Sequence, residues 1–95
     1  METKSKNEQK YRHSDRVSWR QVDKEGVILD LESSDYFSVN EIGVFIWEKL
    51  GAGETPKEIA LAICEEYEVG EDQAQKDVLA LIKELLKRKL LETKE

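Results

Sequence analysis

Hydrophobic and polar residues change their spacing at one place in this chain, between Val39 and Ile42, and the remaining pattern falls into order around it. Tyr36 to Val39 is a short aromatic and β-branched run, which predicts a strand. From Ile42 onward the apolar residues Ile42, Phe45, Ile46 and Leu50 keep helical spacing, flanked by Val44 and Trp47, which predicts an amphipathic helix. Asn40 stands at the switch, where its side-chain oxygen can accept an N–H of the first helical turn. A strand therefore runs into a capped helix with almost no loop.

Upstream, Val17 and Trp19 alternate with Ser18 and Arg20 in a strand over 17–22. Asp23-Lys24-Glu25-Gly26 reads as a turn in which Gly26 supplies a positive φ. Val27-Ile28-Leu29-Asp30-Leu31 is the strongest strand pattern, and Glu32-Ser33-Ser34-Asp35 is a second polar turn. Short strands joined by short turns predict an antiparallel meander in sequence order, whose third strand is an edge.

Downstream, Gly51-Ala52-Gly53-Glu54 stops the first helix. Thr55 as N-cap, Pro56 at the first helical position and Glu58 closing a capping box start a second helix. Its stripe is Ile59, Ala60, Ile63, Cys64 and Tyr67, and it ends near Glu68-Val69-Gly70. Glu71 to Lys89 predicts the third and longest helix, with Glu71 and Asp72 at its start and Lys87, Arg88 and Lys89 at its end complementing the helix dipole. Leu90-Leu91-Glu92 closes the fold, and Thr93–Glu95 should fray. The predicted class is α+β: a three-stranded antiparallel sheet followed by three helices, winged helix-turn-helix-like.

The third helix carries more apolar surface than one packed face needs. Ala74, Leu79, Val78, Leu81, Ile82, Leu85 and Leu86 span an arc of about 160°, against the ~100° stripe of an ordinary surface helix. Either the helix packs on two sides within the domain, or one margin is left for a partner.

Composition narrows the function. Ninety-five residues make one domain, and no apolar run approaches the roughly 20 residues of a membrane span. The N-terminus lacks the apolar core of a signal peptide, so a cytoplasmic protein is expected. Residues 1–16 hold only Met1 and Tyr11 as large apolar groups, which predicts a disordered, dispensable tail ahead of a domain over 17–92. The net charge is −6, with the tail positive and the body more acidic still, which argues against a nucleic-acid partner. Cys64 is the only cysteine and lies on an apolar stripe, as an inert core thiol does. His13 has no second ligand nearby, so no metal or other cofactor is expected. No nucleophile, phosphate-loop or zinc motif is present, and the chain reads as a binding module rather than an enzyme.

Leu29-Asp30-Leu31-Glu32-Ser33, Tyr36-Phe37, Val39-Asn40-Glu41-Ile42-Gly43, Ile46-Trp47, Gly53-Glu54-Thr55-Pro56-Lys57-Glu58-Ile59, Asp77-Val78, Leu81-Ile82 and Leu85, taken in order, resemble the PqqD family. The most specific part is Asn40, Gly43, Ile46 and Trp47, and the resemblance spans about residues 17–92. Val39 stands where the family usually has Leu, and Lys89 where a helix-ending Gly is usual. The resemblance implies a recognition element for ribosomally made, post-translationally modified peptides, closest to the stand-alone version of lasso-peptide pathways. Such a domain binds the precursor's leader as an antiparallel strand on the third strand, over a groove against the third helix. It then presents the leader to a modifying enzyme or leader peptidase.

The residues themselves agree with that reading. A short edge strand offers unpaired N–H and C=O groups for strand addition. The expected peptide-binding residues are Tyr36, Phe37, Ser38 and Val39 on the strand. On the helix they are Asp77, Leu81, Glu84, Leu85 and Arg88, leaving Leu79 and Leu86 covered by the first two helices. The rival is a winged-helix DNA-binding regulator, whose third helix would face phosphates with Lys76, Lys83, Lys87, Arg88 and Lys89. Glu71, Asp72, Asp77 and Glu84 nearly cancel those charges.

Overall fold

Local signals set the elements largely where the spacing predicts them, with an addition at the two termini. The computed structural model describes residues 8–94. The elements are β1 (Lys10–His13), β2 (Val17–Val22), β3 (Glu25–Asp30), β4 (Tyr36–Val39), α1 (Glu41–Gly51), α2 (Pro56–Glu66), α3 (Glu71–Lys87) and β5 (Leu91–Lys94). Strands β2, β3 and β4 form an antiparallel sheet in that order, so β4 is an edge as expected. Strands β1 and β5 make a separate antiparallel pair. The α+β class, the meander and the three helices are those read from the sequence.

The N-terminal expectation is corrected. Residues 1–7 lie outside the described residues, but residues 8–16 are not a disordered tail. Lys10–His13 pairs with Leu91–Lys94 in a register running from Lys10↔Lys94 to His13↔Leu91, which also orders Thr93 and Lys94 of the end expected to fray; Glu95 lies outside the described residues. The cause is a few buried rings in a polar segment. Tyr11 is 5% exposed and belongs to the core. The His13 ring stacks flat on Trp47, with centroids 3.6 Å apart and planes 5° from parallel. Trp19 meets both rings edge-on, at 6.5 and 6.2 Å. The His13 Nε2–H donates to the Trp47 carbonyl at 2.8 Å, and burial against Trp47 lowers the His13 pKa despite that bond.

Gly26 does a different task from the one expected. Asp23, at φ 57°, makes the turn with Lys24, and β3 already begins at Glu25. Gly26 instead faces α1, where a Cβ would stand 2.8 Å from Val44 Cγ2 and 3.1 Å from Val39 Cγ2. On the helix side, a Cβ on Gly43 would stand 2.7 Å from Val39 Cβ. Two missing side chains thus let α1 lie close against the sheet. Asn40 caps that helix as predicted, its Oδ1 accepting the Gly43 N–H at 2.8 Å.

The helical layer follows its caps. Thr55 Oγ1 accepts the Glu58 N–H at 3.2 Å, and Glu58 accepts the Thr55 N–H at 2.8 Å, the reciprocal box that starts α2. Ile59 and Ile63 of α2, Val78 and Leu85 of α3, Trp47 and Leu50 of α1 and Ile28 of β3 meet in one fully buried core.

Helix α3 ends in a paired motif: Leu90 N–H donates to Leu85 O and Lys89 N–H to Leu86 O, both at 3.0 Å. Lys89 therefore sits at φ 62°, the conformation Gly53 supplies with φ 86° at the end of α1. A lysine thus takes the left-handed position that glycine usually supplies at a helix end.

Two expectations follow for stability. Tyr11→Ala empties a core position and should lower unfolding free energy by about 3 kcal/mol, with deletion of residues 1–16 costing more, as read by urea denaturation. An unchanged midpoint would show that β1 contributes nothing to the fold. Lys89→Gly removes left-handed backbone strain and should raise stability by about 0.5–1 kcal/mol, readable as a higher Tm.

Candidate peptide-binding groove

The outer edge of β4 is built by alternation in the β3–β4 ladder. Asp30 N–H donates to Asp35 O at 2.8 Å, and the register then pairs Leu29 with Tyr36, Ile28 with Phe37 and Val27 with Ser38. In an antiparallel pair the hydrogen-bonded positions alternate, so Phe37 and Val39 spend their main-chain groups on β3. Tyr36 and Ser38 turn theirs to the open edge. Their side chains are exposed on the outer sheet face, Tyr36 at 69%, whereas Phe37 and Val39 point to the helical layer.

A recess of about 340 Å³ lies beside that edge. Its strand side is Phe37, Ser38 and Val39, its floor includes Ile42, Gly43 and Ile46 of α1, and its far wall is Asp77, Ala80 and Leu81 of α3. A smaller recess of about 130 Å³ continues it towards the β3–β4 turn, between Tyr36, Phe37 and Arg88. Phe37 belongs to both, and the Arg88 guanidinium lies 4.7 Å from the centre of its ring. Arg88 is held there by Glu84, which accepts its Nε–H at 2.7 Å. Asp77 accepts from Gln73 Nε2 at 2.8 Å. The groove thus has an apolar middle with charged groups at its rim.

The turn that delivers β4 to this place is anchored by a carboxylate. Asp30 is 5% exposed and takes two hydrogen bonds from Arg16, Nε at 3.0 Å and Nη2 at 2.9 Å. It also accepts the Glu32 N–H at 2.9 Å, and Ser33 N–H stands at 3.4 Å. The Arg16 hydrogen bond, aided by the backbone N–H groups, holds the carboxyl far below the ordinary carboxylate range despite burial.

The structure brings most of the expected residues together. Phe37, Ser38, Val39, Asp77 and Leu81 share the larger recess, and Tyr36 and Arg88 share the smaller. Glu84 orients Arg88 without lining either recess. Leu85 is corrected: it is fully buried and supports the groove from within the core. The cover expected over Leu79 and Leu86 is also corrected, since Leu86 is 37% exposed and both line an open apolar groove with Tyr11. Position along the helix fixes a face, but not which neighbour reaches it. The residues sequence reasoning left out of the larger recess are Asn40, Ile42, Gly43, Ile46 and Ala80. Three of them, Asn40, Gly43 and Ile46, already stood out as the distinctive pattern.

Comparison with protein families matches residues 25–91 to coenzyme PQQ synthesis protein D (PqqD). The chain belongs to the PqqD family. Two solved structures resemble this family member over nearly its whole fold. TbiB1 in complex with the TbiA(beta) leader peptide is 36% identical, with a TM-score of 0.78, covering 85% of this chain and 94% of that one. Lasso peptide synthetase B1 complexed with the leader peptide is 29% identical, with a TM-score of 0.80, covering 86% and 96%. A search of curated proteins finds no match.

The Asp30 anchor has a pH signature. A carboxyl whose folded pKa is depressed contributes stability above its ordinary value of 3.8, and that stability is lost as pH falls from there towards the folded value. Asp30→Asn should therefore destabilise the PqqD-family domain at neutral pH and flatten its acid limb. Unfolding midpoints followed from pH 7 down to pH 2 read both effects. Parallel curves for the two proteins would remove Asp30 from that role.

Proposed function

We propose that this protein binds the leader segment of a ribosomally synthesised precursor peptide by strand addition at β4. It presents that leader to a modifying enzyme or leader peptidase in the cytoplasm, and is not itself an enzyme. One observation carries the reading: an edge strand with two unpaired main-chain positions lies over an apolar groove walled by α3. The two similar structures, both complexes with leader peptides, support it. They lend nothing to the DNA-binding alternative.

An antiparallel leader strand would lie about 4.8 Å from β4 and exchange hydrogen bonds with Tyr36 and Ser38. Its residue opposite Phe37 would point to the helical side, where Ile42, Ile46 and Leu81 offer apolar surface. Arg88, over Phe37, would meet a polar or acidic group at the turn end of the groove. Backbone pairing supplies affinity for any extended chain, and the recess supplies selectivity.

Ser38→Pro removes an outward N–H and should weaken leader binding. Leu81→Ala should weaken it by roughly 1–3 kcal/mol, the range of a residue lining a central pocket. Calorimetry with the synthetic leader encoded beside the protein measures both, and circular dichroism checks that each variant is folded. Amide shifts on leader addition should concentrate at Tyr36–Val39 and at Asp77, Ala80 and Leu81. Shifts confined to α1 and α2 would place the leader elsewhere, and a change in precursor mass with this protein alone would sink the non-catalytic reading.

A further inference from the structure

Helix α3 has a second open face, turned away from β4. Tyr11, Leu79, Ile82 and Leu86 floor a groove of about 660 Å³ there, and Lys83 and Lys87 stand along its side. Lys76 falls on the same row of the helix, seven residues before Lys83. Among the described residues, none of these three lysines takes part in an ion pair. In a chain with 21 acidic residues and a net charge of −6, they form a row of like charge along one side of an apolar groove. The face sets exposed Leu86 and half-buried Leu79 over buried Tyr11 and Ile82, with a positive border beside them.

Resting on the leader-binding reading, we propose that this face docks an acidic amphipathic helix carried by the enzyme that receives the leader. Leucine-sized residues at helical spacing would enter the groove between Leu79 and Leu86, and flanking Asp or Glu would meet Lys76, Lys83 and Lys87. The remaining candidates fit less well. A two-fold contact with a second copy would bring the same lysine row against itself. Nucleic acid or an anionic bilayer would meet the lysines but, being wider than this face, would also bring phosphate against the acidic body, whereas a single helix sets its acidic groups along the lysine row alone. Ala80 borders both grooves, and otherwise the two use different faces of α3, so a leader on β4 leaves this one open.

The test is a titration of the isotope-labelled protein, with and without leader, by a synthetic helical peptide of leucines at i, i+3, i+4 and i+7 and glutamates elsewhere. Shifts should appear at Leu79, Ile82, Lys83, Leu86 and Lys87, leave Tyr36–Val39 unmoved, and weaken as salt is raised. The exposed double substitution Lys83→Glu with Lys87→Glu should lower affinity for this peptide at least tenfold and leave leader affinity within twofold. Equal binding by a peptide with lysines for the glutamates would overturn the proposal, as would no shift on this face at millimolar peptide. Binding of phosphatidylglycerol vesicles or duplex DNA here in place of the peptide would also overturn it, as would a dimer in sedimentation that Leu86→Ser dissolves. Peptide binding by a protein that fails to bind leader would support this surface and overturn the leader reading instead.

Discussion

The contact on which the rest of the molecule depends is the close seating of α1 against the sheet at Gly26, Val39 and Gly43. Cβ atoms at the two glycines would come within 2.7–2.8 Å of valine carbons, so any side chain there must push the helix outward. Val39 is both the last residue of β4 and the surface against which Gly43 packs, and Asn40, one residue on, caps the same helix. Strand and helix are therefore positioned by one short run of chain. The distance between them sets the depth of the recess that Ile42 and Ile46 floor. A methyl added at either glycine would press on Val39, which lines the recess, and interiors this tightly packed pass such shifts along.

From that seat β1 and β5 are drawn in. Trp47 lies on the face of α1 that His13 covers, and β1 is held there by ring stacking before its pairing with β5 adds a ladder. Asp30 fixes the other side of the groove, because its bonds to Arg16, Glu32 and Ser33 shape the turn that leads into β4. The ring stack lies outside the candidate peptide groove, whereas Asp30 and Ser33 line its smaller recess. Both determine where a four-residue edge strand sits.

Periodicity made the helices and the meander legible, because spacing of 3.6 and 2 residues is a direct image of which face is buried. Caps were legible for the same local reason: Asn40, Thr55 and Glu58 act within three residues of themselves. Features that depend on distant partners were not. Lys10–His13 carries one large apolar residue, and its strand depends on Trp47 and on Leu91–Lys94, some eighty positions away. Gly26 looked like a turn residue because glycine often is one; its actual role is set by Val44 across the layer. In the site, the strand residues and Asp77, Leu81 and Arg88 were readable as one edge and one helical row. Leu85 shares that row, but a row has a width, and the core begins within it.

The breadth of the apolar arc on α3 then has a structural meaning that neither packing nor binding supplies alone. Ala74, Val78, Ile82 and Leu85 form the buried centre, and each margin is only partly covered by the domain. Leu81 on one side is backed by a strand edge, which suits an extended peptide because main-chain partners are at hand. Leu79 and Leu86 on the other side have Tyr11 and lysines for company, which suits a segment that has already satisfied its own backbone. A helix satisfies its backbone internally and an extended strand does not. The two margins therefore suit different secondary structures, and a single helix holds both at a fixed distance from each other.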